Sequence, residues 1–489
     1  MKLTMKKHFL PFILIVTMLF VGVSCDDQLD INQDPLAATQ VDPNLLFPEA
    51  FVNLSNNRTI EVSGRTGNVV QYYEPAFGAF GDMALGELGN TFLVGNTWTS
   101  LYNSVLKNIV LAERTAAAQE PQNVNVIAQS KILQAFAYYN LTSMWERVPF
   151  TQALNPDEFP TPAFDEQQVV LEGIVSMIDE AIALINKDPE AFRVTNGDMI
   201  FDGDLDKWEK FGNSIKLKVL MMLANKVDVS SQIAATINAP RITSLADEAA
   251  FQYFDAAGNF NPIWNTLNRF AGGINPTWWV ASNTFTGVLD ELNDPRKSTY
   301  YDESQDEVDT GNFGPSAAPG SFNSARGNSI VSLNILRPDY PDRYVTPGEI
   351  VLMEAEAIAR GFASGDLAAA DAKYREGIRL SMDFFDGKPG AISAEDKDAY
   401  LASLPALSTL SQDDAVEAIQ VQIYIECFFR MPEGWNVWRR TGVPSTVIRP
   451  AGSQLDGVLR RLFYPPDERG ANPNAPADPS LSAPMWFEN

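Results

Sequence analysis

The sequence predicts an all-α protein, built of irregular tetratricopeptide-type helical hairpins joined by long loops. Three observations predict it. Apolar residues recur at steps of three and four through several long segments, the mark of one buried helical face. The segment 349–381 reads as two such stripes with glycines at the turn. Between the stripes lie stretches rich in Pro, Gly and Asn, longer than ordinary connections and of the kind that carries function.

The chain opens on Lys2, Lys6 and Lys7, followed by an apolar run from Phe9 to Val23. Fifteen helical residues rise about 22 Å, short of a bilayer core of roughly 30 Å. Residues 1–24 therefore read as a secretory signal peptide, not a spanning helix. Small residues, Gly22-Val23-Ser24, precede a lone Cys25, which suits cleavage by a lipoprotein signal peptidase and lipidation of Cys25. Ordinary secretion with a chance cysteine is the alternative. Residues 25–40, with Asp26, Asp27 and Asp30, form an acidic tether, and 41–489 form the body.

Along the body, segments 97–119 and 124–145 pair as helices. From Asp165 to Ile185, Val170, Ile174, Met177, Ala181 and Ile185 share one stripe. From Leu205 to Val227 the stripe is Trp208, Phe211, Ile215, Val219 and Met222, with Asp206 and Glu209 placed to cap its start. Residues 254–280 and 300–327 read as irregular. In 349–381, Ile350, Met353 and Ala357 line the first helix, Gly361 and Gly365 bracket the turn, and Leu367, Ala370, Tyr374 and Ile378 line the second. This resembles one tetratricopeptide repeat, although no strict period runs through the chain. The pairs are expected to pack in a right-handed stack. A further helix begins near Ser411 with Val416, Ile419, Ile423 and Cys427 on its stripe, which places Cys427 in the core as a small hydrophobe. The tail from Pro465 shows almost no helical pattern.

Composition narrows the function. With 36 basic and 62 acidic residues the net charge is -26, a surface that repels nucleic acid. The only histidine is His8 and the only cysteines are Cys25 and Cys427. Once the leader is removed no Ser-His-Asp or Cys-His mechanism and no usual His-containing zinc site can be assembled. No intramolecular disulfide, metal or cofactor is predicted. The acidic run 302–309 lacks the spacing of a calcium loop and reads as solvated. Carboxylate chemistry survives, but no spacing marks a catalytic pair.

A glycan binder needs flat rings ringed by hydrogen-bonding groups. Trp264, Trp278 and Trp279, with Asn265, Asn268, Arg269 and Asn275 around Gly272-Gly273, offer that mix on an expected loop. The alternative is that the paired tryptophans pack into the body. Gln71-Tyr72-Tyr73 and Trp98 form a second candidate cluster. Trp435 and Trp438, beside Arg439 and Arg440, read as structural.

Segments from end to end carry a resemblance. Cys25-Asp-Asp-Gln-Leu-Asp-Ile-Asn-Gln-Asp-Pro35, Val41-Asp-Pro-Asn-Leu-Leu46, Lys207-Trp208 leading to Lys216-Leu217, and Asn293-Asp-Pro-Arg296 are similar to those of the SusD/RagB family, in its SusD-like branch. So are Glu354-Ala-Glu356 with Arg360-Gly361, Gly434-Trp-Asn-Val-Trp-Arg-Arg-Thr-Gly442 with Pro444, Arg460-Arg461-Leu462, Tyr464-Pro465 and Met485-Trp486-Phe487. Phe487 and Glu488 depart from the usual ending, and Trp145–Pro149 from the usual turn before Ile-Pro. The resemblance implies a non-enzymatic lipoprotein of the outer membrane, exposed at the cell surface. Such a protein captures a nutrient, an oligosaccharide or other glycan first of all, and delivers it to a SusC/RagA-like TonB-dependent transporter. Asp26, Asp27 and Asp30 beside Cys25 resemble the surface-export signal of Bacteroidetes lipoproteins. A peptide-binding member of the family, a lipid-anchored carboxylate-dependent glycoside hydrolase and a pure protein-binding scaffold are the competing readings.

Overall fold

The computed structural model describes residues 41–75, 81–87, 91–271, 279–302, 316–321 and 328–488. The expected signal peptide, Cys25, the tether, Trp278 and most of the acidic run 302–309 lie outside these residues.

Helix α1 (Pro43–Asn56) starts where the Asp42 carboxylate accepts from the Asn44 N–H at 2.9 Å, with Pro43 in its first turn. It continues through a π-helical turn, Asn57–Ser63, into α2 (Gly64–Val69). After β1 (Tyr73–Pro75) and the single turn α3 (Asp82–Leu85), α4 (Thr91–Thr99), a π-helical segment Ser100–Leu106 and α5 (Lys107–Ala117) run on as one rod. That rod pairs with α6 (Val124–Trp145), as the sequence predicts. Next come α7 (Gln167–Leu184), α8 (Leu205–Leu223) and α9 (Ser230–Ile237). Helix α8 stops at Leu223, short of Val227. Its cap is Asp204, not Asp206: the Asp204 carboxylate accepts from the N–H groups of Asp206 and Lys207 at 3.0 and 3.2 Å.

The stretch expected to be a loop around 254–280 is partly regular. It follows β2 (Ala249–Phe251) and holds α10 (Pro262–Ala271) and β3 (Trp279–Ala281). Asn261 makes the helix. Its Oδ1 accepts from the Ile263 and Trp264 N–H groups, and Pro262 needs no partner. Ile263 and Leu267, four apart, bury one face. Then come α11 (Asn283–Leu292), α12 (Lys297–Tyr300), β4 (Tyr301–Asp302), β5 (Ile330–Val331) and β6 (Asp342–Val345). The strands, two to four residues long, form an antiparallel sheet of order β1-β3-β5-β4 and a β2-β6 pair. They are a minor addition to a mostly helical fold.

The expected hairpin is α13 (Pro347–Ala359) and α14 (Leu367–Asp383), turned by Gly361 and Gly365 at φ +76° and +135°. The two helices approach closely at Gly377, where a Cβ would lie 2.7 Å from Leu352 Cγ. Helices α15 (Ala394–Ser403), α16 (Gln412–Glu426, capped by Ser411), α17 (Met431–Thr441) and the short α18 (Pro466–Ala471) complete the body.

The resemblance-bearing residues of α17 close the core. Glu433 receives Lys218 Nζ at 2.7 Å, the Tyr139 hydroxyl at 2.8 Å and Arg58 Nη1 at 3.3 Å. Burial pushes this carboxyl up, but Lys218, Arg58 and Arg430 outweigh burial and hold it near 2. Arg440 grips Glu356 with both terminal nitrogens at 2.7 and 2.6 Å. Cys427 is wholly buried, and burial pushes its thiol up. It is the small core hydrophobe that the sequence predicts.

Candidate functional site: an aromatic cleft beside Trp98

The candidates around the paired tryptophans separate. Trp279 is inside the protein, on β3, with its ring stacked on Tyr73 at 4.4 Å. The antiparallel pairing of Pro75 with Trp279 and of Tyr73 with Ala281 draws both strands under cover. Tyr73 donates its hydroxyl to Gly64 O at 2.6 Å. Tyr72 donates to Tyr424 O at 2.6 Å and stacks on the Tyr424 ring at 4.6 Å. Tyr72, Tyr73 and Trp279 are thus core residues with no face for a ligand, and the reading of them as binding residues is corrected. Their rings bury more by packing on one another than a solvent-facing loop would bury. Trp264, Asn268 and Arg269 share α10. Trp264 is half-buried against Phe260 (4.8 Å), Asn268 is half-buried and Arg269 exposed. Among the described residues no ring contact joins Trp264 to Trp279. Trp438 and Trp435 are buried too, under Arg460 (4.8 Å) and Arg439 (3.8 Å) respectively.

Trp98 has a different setting. It is 6% exposed, and its ring meets Trp145 edge-on (5.1 Å), Tyr102 (4.9 Å) and Phe164 (5.9 Å). What remains open lines a cleft of about 420 Å³. Three segments far apart in sequence build it: α4 with the π-helical segment, the 149–162 loop, and α18 with Pro465 before it. One extra residue per turn in Ser100–Leu106 re-aims side chains there, a device frequent at functional sites. The loop and the C-terminal segment are stitched together. Asn472 Nδ2 donates to Pro162 O at 2.9 Å, and Asn474 Nδ2 to Thr161 O at 2.7 Å. Pro160, Pro162 and Pro465 stiffen the rim.

The polar groups suit hydroxyls. Trp98 Nε1 bonds to no described residue, so it is a donor with spare capacity. Asn103 is exposed at the rim, and Glu468 and Asp467 face it from α18. The Tyr102 hydroxyl donates to Pro149 O at 2.7 Å. Burial, with Tyr138 and Glu468 nearby, holds that hydroxyl neutral well above its ordinary range. An aromatic face beside an N–H donor, an amide and carboxylates matches a ligand with C–H faces and many hydroxyls. Among the described residues no group of three or more His, Cys, Asp or Glu is placed to hold a metal. No helix there is long and apolar enough to cross a membrane.

Of the sequence candidates, only Trp98 lines this cleft. Tyr102 and Asn103 join it in the lining. Their signal is the four-residue step from Trp98 to Tyr102, which puts two rings on one helical face. Glu468 and Asn472 carry no such signal, because only the tertiary fold brings α18 to α4.

A family model described as SusD-like, "Starch-binding associating with outer membrane", matches residues 35–465. No curated protein matches. Solved structures share the fold. A chitin-binding protein is 22% identical with TM-score 0.75, over 88% of this chain and 94% of that one. A Bacteroidetes SusD-like protein is 20% identical with TM-score 0.77, over 92% and 100%. A SusD homolog from Bacteroides fragilis NCTC 9343 is 24% identical with TM-score 0.69, over 92% and 100%.

Proposed function

The chain belongs to the SusD-like family of the SusD/RagB proteins, starch-binding and associated with the outer membrane, and from that premise we propose that it captures a glycan at the cell surface and passes it unaltered to a TonB-dependent outer-membrane transporter. One observation carries the reading: Trp98, whose indole N–H has no described partner, lines one cleft with Asn103, Glu468 and Asp467. Lipidation at Cys25 would hold the body at the membrane.

Isothermal calorimetry of the body, with starch and chitin oligomers and a peptide panel as titrants, tests the reading. The expected result is saturable sugar binding with no product released. Asn103→Ala, at an exposed position that leaves the fold alone, should weaken it several-fold, since a lost hydrogen bond is worth about 0.5–1.5 kcal/mol. Sugar release at enzymatic rates, or binding of peptides and no sugar, overturns the proposal.

A further inference from the structure

A second cavity, of about 340 Å³, lies on the other side of the turn Thr151–Leu154 from the aromatic cleft, and Ala153 and Leu154 line both. Its walls are α5 and α6. Lys131, Gln134 and Tyr138 stand on one face of α6, at steps of three and four. Phe150 forms the floor. Its ring meets Tyr138 edge-on at 4.8 Å and lies against Gly173, where a Cβ would come within 2.3 Å of it.

Two groups in this cavity have unspent hydrogen-bonding capacity. Tyr138 is 4% exposed, lines the cavity, and its hydroxyl bonds to no described residue. Gln134 is 5% exposed. Its Nε2 is committed to Glu113 Oε2 at 2.6 Å, which fixes the amide, and its Oε1 accepts from no described residue. Lys131, by contrast, is ion-paired: it lies 3.1 Å from Glu180 and 3.4 Å from Glu113. Arg114 Nη2 donates to Leu154 O at 2.8 Å. An open hydroxyl and an open amide oxygen, on two largely buried side chains beside an aromatic ring, suit a polyhydroxylated unit.

The divide between the cavities is built to hold its shape. Asp165 accepts from the N–H groups of Phe150 and Thr151 at 3.0 and 2.8 Å. Leu154 is held by Arg114 at φ +59°, a left-handed conformation that a leucine adopts only under constraint. The turn is a fixed saddle between an aromatic cleft and a polar one.

We propose that the ligand is a glycan chain long enough to straddle the Thr151–Leu154 saddle, with one sugar unit at Trp98 and a further unit seated against Tyr138 and Gln134. This rests on the glycan-capture reading and extends it to the length of the ligand. Calorimetry with short and long oligomers of the same glucose or N-acetylglucosamine series tests it, on the unaltered protein and on Tyr138→Phe and Trp98→Phe. Tyr138→Phe keeps the ring against Phe150 and removes only an unpartnered hydroxyl, so the fold should stand. It should weaken the long oligomers about 5-fold, the value of one hydrogen bond, and leave the short ones unchanged. Trp98→Phe should weaken both. If Tyr138→Phe binds long oligomers as tightly as the unaltered protein while Trp98→Phe does not, the saddle proposal falls and the capture reading stands. If no oligomer of either length binds, both fall.

Discussion

Trp435 and Trp98 are both nearly buried and both have polar neighbours, yet their surroundings differ in what they leave unspent. Around Trp435 the accounts are closed: Nε1 donates to Leu459 O at 3.0 Å, and the Arg439 guanidinium covers the ring at 3.8 Å. One turn further on, Arg440 is locked to Glu356. Around Trp98, Phe164 stacks parallel to the ring and Trp145 and Tyr464 meet it at right angles, but the N–H has no described partner and the residue lines the cleft. A tryptophan with arginines and asparagines nearby is therefore no sign of binding. The sign is a donor or acceptor left over in a concave place.

The largest effect that can break this contrast lies on the closed side. Glu356→Ala strands Arg440 in the core and should cost about 3–5 kcal/mol of stability, read by urea unfolding. A loss below about 1 kcal/mol would mean that water reaches Arg440 and that the region is not closed. The middle effect compares the two rings. Trp435→Phe and Trp98→Phe remove the same volume, but only the first also removes a bonded N–H and weakens an arginine contact. Trp435→Phe leaves Leu459 O without its donor and should be the less stable by about 1–3 kcal/mol, with glycan affinity unchanged in the folded protein. Trp98→Phe should lose affinity and less stability. Equal losses in both assays would erase the distinction.

The helices were legible because each buries one face, and a buried face is periodic in sequence: α7, α8 and the hairpin of α13 and α14 fall within a few residues of their stripes. The helix α10 escapes the pattern because its signal is an Asn-Pro start and only ten residues, with Ile263 and Leu267 the buried apolar ones among its described side chains. The strands at Tyr73 and Trp279 were missed because three residues carry no usable alternation. Without the pairing of β1 and β3, nothing shows that Tyr72, Tyr73 and Trp279 face inward. Trp98 was legible as an aromatic beside polar residues. Its partners Glu468 and Asn472 lie more than three hundred residues away and could be found only in the fold.

The same contrast sorts the buried carboxyls, and pH reads it. Glu356 is buried, which pushes its carboxyl up, but Arg440 and Arg360 outweigh burial and hold it below the usual range. Glu74, on β1, has no ion pair among the described residues. Burial pushes it up to about 8 against the pull of the Gly320 N–H (3.0 Å) and Asn68 Nδ2 (2.8 Å). In the unfolded chain a glutamate titrates near 4.3. Between those values the folded protein keeps a proton that the unfolded chain has lost, so stability falls as pH rises, by up to about 1.4 kcal/mol per pH unit, and levels off above about 8. The window is clean near its top. The only histidine is His8, in the expected signal peptide, and Asp342, which burial raises to about 6 against the pull of Arg58, is nearly all ionised above about pH 7. Glu74→Gln carries permanently the neutral group that protonation supplies. It should flatten the urea-midpoint slope between about pH 7 and 8, while Glu356→Gln, at a carboxyl already ionised there, should lower the whole curve without changing that slope. A Glu74→Gln curve parallel to that of the unaltered protein would show that Glu74 ionises freely and that β1 is not closed to water.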